Sequence, residues 1–217
     1  MSVPRERADL PYAAHLDPFD GRLAPQGEYD TVAFQGQEFE QQDAGNARFI
    51  ECVFSSVVFT GGGCPRARFS DVWMHAVRWV GSELGESTWL DAEVINGAFA
   101  GVLLNAATLR RVTFFGCKLE GVNARSATLQ EVAFVDCLLR EVDLAGATLN
   151  SVSFPGSTLE RVRLEGAQLS KVDLRGATDL DIADGHAALK GATINSTQLL
   201  GLAPAFARTL GVTVKDS

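Results

Sequence analysis

An apolar residue recurs at every fifth position from Phe34 to Leu174 without a single slip of phase. The series runs Phe34, Phe39, Ala44, Phe49, Phe54, Phe59, Cys64 and onward to Leu164, Leu169 and Leu174; it has 29 members, 22 of them Leu or Phe. A second register lies two residues earlier and holds small or β-branched residues, valine alternating with a smaller one through Val102, Ala107, Val112, Cys117 and Val122. A period of five matches neither the 3.6-residue helix nor the two-residue strand. A fixed period of this length marks a repeat architecture.

Segments such as Ala147-Thr148-Leu149-Asn150 and Ala167-Gln168-Leu169-Ser170 resemble the A-(D/N)-L-x-x unit of pentapeptide repeat proteins, and the likeness covers residues 29–180. The resemblance implies an all-β solenoid, a right-handed quadrilateral β-helix with a short α-helical C-terminal cap. Each pentapeptide would form one side of a square, four would make a coil, and residues i and i+20 would stack. About seven to eight coils at a strand spacing of about 4.8 Å make a rod roughly 35 Å long. The expected organisation is a non-repeat arm or cap over 1–28, the β-helix over 29–180 and a helical cap over 181–217.

The ends are less constrained. Leu10, Tyr12, Leu16 and Phe19 are apolar enough either to cap the first coil or to lie as an arm along one face. Beyond the repeat, Ser196 or Asn195 suits a helix N-cap and Gly211 a terminator. Pro204 predicts two short helices, or one kinked helix, with the proline near the start of the second. Val212-Thr213-Val214 is expected to return as a short strand. Leu199, Leu200, Leu202, Phe206 and Leu210 form an apolar set that suits a cap on the last coil. The tail also resembles that of the mycobacterial-type quinolone-resistance members, and that resemblance implies a homodimer contact through this end.

Function has to come from outward residues. Of 27 acidic and 19 basic residues, giving a net charge of −8, the first 100 residues hold 15 and 7 and the remainder 12 and 12. Direct binding of nucleic acid through a general positive field is thereby excluded. In the balanced half, residues 20 apart alternate in sign: Glu120, Arg140 and Glu160; Glu141 and Arg161; Asp143 and Arg163; Arg111 and Glu131. These read as cross-coil ion pairs. One column breaks the rule, with Glu51, Asp71 and Asp91 stacked before any base, and Glu38, Glu40 and Asp43 adding acid nearby in sequence. It is either a solvated face or an acidic surface that docks into a basic groove in place of phosphates. A second outward column, Ile95, Phe115, Val135 and Pro155, is apolar. It is either covered by the N-terminal segment or a contact surface for a partner.

The residues for chemistry are not assembled. His15, His75 and His186 have no metal-ligand spacing to one another or to cysteine, so neither metal nor cofactor is expected. Cys52, Cys117 and Cys137 fall in the small inward register and Cys64 in the bulky one; Cys117 and Cys137, one coil apart, are either two buried small hydrophobes or a redox pair. Gly61-Gly62-Gly63 lacks the Lys-Ser/Thr of a phosphate loop. The chain is expected to be a non-enzymatic cytoplasmic protein with reduced thiols and no membrane span. The family resemblance implies a DNA mimic that binds a type II topoisomerase, DNA gyrase foremost, and modulates it or shields it from inhibitors. The alternative is an interaction scaffold docking another partner through the apolar column.

Overall fold

The chain turns at every fifth residue. At each corner from Gln26 to Lys171, two positions after a bulky inward residue, φ lies between 50° and 72°. Glycine occupies some corners, but Glu51, Asp71, Asp91, Arg111 and Glu131 adopt the same left-handed conformation, which costs an L-residue about 1 kcal/mol or more. Inter-coil hydrogen bonds offset that cost. The computed structural model describes residues 3–215, and its coils form a right-handed, four-sided parallel β-helix of about eight turns with one C-terminal helix.

The four sides can be followed by their registers. Face A stacks Phe49, Phe69, Trp89, Leu109, Leu129, Leu149 and Leu169. Face B carries Val32–Gln35, Val53–Ser55 and Trp73–His75. In the middle coils one strand runs through the A/B corner, as in Thr88–Ile95, Thr108–Phe115 and Thr128–Val135. Face C stacks Phe39, Phe59, Trp79, Phe99, Leu119, Leu139 and Leu159. Face D is reduced to single bridges, from Asp43 opposite Gly63 to Asp143 opposite Arg163. From Glu28 onward partners are 20 residues apart until the last turn, where Leu159 lies opposite Leu180 before Val162 regains Ile182 and Val172 regains Ala192 at 20. One extra residue after Leu174 shifts the phase, which is why the repeat fades there in the sequence.

Every bulky position from Phe34 to Leu164 is buried. Stacking in register makes aromatic ladders: Phe34 on Phe54 at 4.5 Å, Phe49 on Phe69 at 4.9 Å, Phe59 on Trp79 at 3.7 Å and Phe69 on Trp89 at 4.3 Å between ring centroids. The Gly61–Gly63 run serves close approach: a Cβ on Gly62 would collide with the Gln42 carbonyl and one on Gly63 with the Glu83 carbonyl. Polar small residues inside the tube have work at one corner. The N–H of Gly97 donates to Cys117 Sγ at 3.3 Å, that of Cys117 to Cys137 Sγ at 3.3 Å, and that of Cys137 to Ser157 Oγ at 2.9 Å. Each side chain supplies the acceptor that the backbone of the preceding coil needs.

Both ends are plugged. Phe19 packs on Phe34 at 4.5 Å, and Leu23 is buried against the same coil. At the far end a single helix, α1 (Ser196–Thr209), crosses the last turn and buries Leu202 and Ala205. Asn195 is its N-cap, accepting from the N–H of Gln198 at 2.9 Å while the Gln198 side chain accepts from the N–H of Asn195. Pro204 lies inside this one helix and does not split it in two. The expected strand at Val212–Val214 does not form: Gly211 at φ 72° ends the helix, and the N–H of Val212 turns back to the Ala207 carbonyl at 2.8 Å.

Candidate interaction surfaces

Carboxylates crowd the start of the rod. Asp17, Asp20, Glu28, Asp30, Glu38, Glu40 and Asp43 are all exposed, and Arg22 is the one cation in that stretch. Register places them on every side: Glu28 opposite Arg48 on face A, Asp17 opposite Val32 on face B, Glu38 opposite Val58 on face C and Asp43 opposite Gly63 on face D. The acid is therefore a collar around one end, not a stripe along one side. Glu28 pairs with Arg48 at 3.3 Å. Asp43 also accepts the N–H of Gly45 at 2.8 Å, a turn that Asn123 and Asp143 repeat on face D.

The six acidic residues singled out in the sequence thus fall in two places. Glu38, Glu40 and Asp43 belong to the collar, while Glu51, Asp71 and Asp91 stack at the A/B corner. At that corner Arg111 forms a two-pronged pair with Asp91, Nε to Oδ1 at 2.6 Å and Nη2 to Oδ2 at 2.7 Å, and this holds the Asp91 carboxyl below the usual range. Arg111 therefore turns toward Asp91, away from the Glu131 pairing expected of it. Asp71 moves the other way: burial, then the charge of Asp91, raises it. Among the remaining ladders, Arg140 bridges Glu120 at 2.9 Å and Glu160 at 2.6 Å, and Arg161 reaches Glu141 at 3.3 Å. Asp143 and Arg163 do not pair as expected. Asp143 takes Arg125 at 3.1 Å, and Arg163 faces Asp184 at 3.9 Å because the phase shift carries that carboxylate to it.

The apolar column is not an open surface. Ile95, Phe115 and Val135 are 8%, 6% and 8% exposed, in one cluster with Leu10 and Tyr12 of the N-terminal arm and with Val53 and Trp73 of the neighbouring outward column. Pro155, at the end of the column, is half-buried and outside that cluster. Two short 3-10 turns, Arg7–Asp9 and Ala13–His15, give the arm its shape. Its polar anchors are few: Tyr12 Oη donates to the Asp71 carbonyl at 2.6 Å, and Trp73 Nε1 donates to the Arg5 carbonyl at 3.0 Å. Glu93 Oε2 accepts from the backbone N and Nε of Arg5 at 3.3 and 3.2 Å. Val53, Trp73, Glu93 and Arg5 were not singled out in the sequence. The signal was present, since Val53 and Trp73 are apolar at outward positions of the same face.

The C-terminal set divides by role. Leu202 is buried and Phe206 packs on the core, whereas Leu199, Leu200 and Leu210 are 49%, 76% and 78% exposed, joined by Val212 and Val214. The four cysteines are buried; burial pushes the Cys52 thiol up to about 12, and the facing Cys137 sulfur together with burial raises Cys117. No group of three or more potential metal ligands occurs among the described residues, nor any helix long and apolar enough to cross a membrane.

Residues 87–169 match the family model described as the pentapeptide repeat region. The chain is a pentapeptide repeat protein. Its five-residue unit continues in register on both sides of the matched segment, from Glu28 to Ser170. Among solved structures, this pentapeptide repeat protein is similar to a trypsin-treated form of QnrB1, a plasmid-mediated fluoroquinolone resistance protein, with 15% identity, 87% of this chain and 100% of that one covered, and a TM-score of 0.43. It is also similar to HetL, a pentapeptide repeat protein involved in heterocyst differentiation regulation from the cyanobacterium Nostoc, with 17% identity, coverage of 81% and 92%, and a TM-score of 0.32. A third likeness, to a pentapeptide repeat protein of the Arabidopsis thaliana thylakoid lumen, has 16% identity, coverage of 58% and 71%, and a TM-score of 0.26. No curated protein matches the sequence.

Proposed function

We propose that this pentapeptide repeat protein is a non-enzymatic binding rod whose carboxylates take the place of nucleic-acid phosphates on the basic surface of a type II topoisomerase, DNA gyrase foremost. The observation that carries the reading is the collar, seven exposed carboxylates against Arg22 on all sides of one end. Such a charge steers the rod to a basic saddle and gives an association that weakens as salt rises. Two copies joined through Leu199, Leu200 and Leu210 of α1 would set their collars at opposite ends, roughly 70 Å or more apart on the strand spacing. The partner is then gripped at two separated points, with a near-neutral middle, and not along a continuous mimic of a duplex.

A supercoiling titration with purified protein at low and moderate salt, with and without a fluoroquinolone, tests this. Inhibition that fades with salt, and that weakens more in Glu38→Gln/Glu40→Gln than in Asp71→Asn/Asp91→Asn, is the expected result. No effect up to tens of micromolar sinks the reading for the gyrase used. Sedimentation velocity checks the dimer: Leu200→Glu should give a monomer that retains its β-helix spectrum. The scaffold alternative needs Ile95, Phe115 and Val135, which pack against the arm, so it requires the arm to move.

A further inference from the structure

Face B has the character of a binding site that already holds a ligand. Most outward positions of a pentapeptide coil are polar or small, yet Val53, Trp73, Ile95, Phe115 and Val135 form one outward apolar trough over several coils. A single carboxylate, Glu93, stands within it with its side chain 14% exposed, and Arg5 supplies both a backbone and a guanidinium donor to that one oxygen. A partly buried carboxylate is costly unless it is paired, so the trough requires a cation at this point. Asp71 lies beside it at the corner and has no ion-pair partner among the described residues. The arm meets these demands with three side chains presented from either side of its first 3-10 turn: Arg5 on Glu93, Leu10 in the trough, and Tyr12 over the corner with its hydroxyl on the Asp71 carbonyl. It also leaves space. An open hollow of about 420 Å³ remains between residues 3–7 and Trp73, His75 and Ile95.

We propose that face B is a recognition site for a basic-apolar peptide that docks through short 3-10 turns, an arginine followed five and seven positions later by an aliphatic and a tyrosine, and that residues 3–16 are its resident ligand in cis. A partner segment of that chemistry displaces the arm. Charge complementarity chooses this occupant: the trough offers carboxylates at its edge and aromatic and aliphatic carbon along its floor, and the unfilled hollow beside Trp73 admits a larger side chain than Val3 or Pro4. The inference does not depend on the topoisomerase reading, because it concerns a different face and a different partner chemistry.

The probe is a fluorescein-labelled peptide of residues 1–16, titrated by anisotropy into three full-length proteins. These are the wild type, Leu10→Asp/Tyr12→Ala to free the arm, and Arg5→Glu, which sets like charge against Glu93 and leaves the packing alone. The freed double variant should bind at least tenfold more tightly than wild type, with Arg5→Glu between them, and adding Glu93→Gln to either should cost most of that gain. Hydrogen exchange on the wild type provides a readout that needs no variant: the amides of Leu10, Ala13 and His15 should exchange much faster than those of face B beneath them. Equal binding by all three proteins, no binding by any, or indifference to Glu93→Gln overturns the proposal. So does an arm as slow to exchange as the rod. A freed variant that becomes a dimer with its arm still protected also overturns it, because the occupant would then be the arm of a second copy.

Discussion

The two halves of the rod share one backbone and solve opposite problems. The N-terminal coils are filled with stacked Phe and Trp, ring on ring at 3.7 to 5.1 Å, while their outer surface carries the collar, whose acid is unbalanced apart from the Glu28–Arg48 pair. The C-terminal coils are filled mainly with Leu, and their outer surface is laced by arginines that bridge coils, Arg140 touching carboxylates on both neighbours. Stacking in a solenoid brings every residue against its counterpart 20 positions on, so each choice is multiplied along the rod. Aromatic counterparts reward repetition inside, like charges penalise it outside, and alternating charges remove the penalty. The acidic half has therefore kept charge that stability alone would have balanced, and that difference is the best physical pointer to function.

The sharpest attack on the comparison is to the core. Phe54→Ala should cost about 3–5 kcal/mol and Leu149→Ala about 2–5 kcal/mol, read by chemical denaturation. If the leucine site proves the more sensitive, the aromatic half does not owe its cohesion to ring stacking. Glycines come next. Gly63→Ala collides with the backbone of the next coil and should cost several kcal/mol, whereas Gly101→Ala meets open space at φ 61° and should cost about 1 kcal/mol in melting experiments. Tyr12→Phe should loosen the arm by about 1 kcal/mol, visible as faster exchange at Leu10 with the rod unchanged.

The two aspartates of one column make the finest test. Asp91 is held below its ordinary pKa by Arg111, so its contribution is present above the unfolded value and is lost as pH falls through the folded one. Asp71 is raised, so ionising it opposes folding, and stability tied to it grows as pH falls. Asp91→Asn should then destabilise by up to about 1 kcal/mol, and Asp71→Asn should be neutral or stabilising by a few tenths, at neutral pH in denaturant titrations. Salt should act in opposite senses: exchange should slow in the collar coils and quicken around Arg140 as screening rises.

Nearly all of the coil was legible because the unbroken period of five from Phe34 to Leu174 resembles the repeat unit of a family whose coil is known. What escaped was whatever depends on the side chosen by a flexible group. Arg111 had carboxylates one coil away on both sides, and the spacing alone did not say that it would take Asp91. Glu38 and Asp43 are close in sequence to Glu51, yet the square cross-section sends them to different faces. The arm has no period to read, so Leu10 and Tyr12 fitted a cap as well as a cover. Pro204 left two short helices or one kinked helix open, and the segment is one helix, with Leu202 and Ala205 packed on the last coil.

The single extra residue after Leu174 has a consequence for growth. A stack of identical coils is a polymer whose open edge invites the next identical unit, from its own chain or from another. The last turn breaks that template locally: Leu180 lies opposite Leu159, Ile182 is back in step opposite Val162, and Asp184 is out again opposite Arg163 before Ala192 regains Val172. The edge left there is irregular, and α1 lies across it. A second rod would find no continuous ladder to extend, so the bulged turn and the helix together terminate the stack through geometry and without relying on charge.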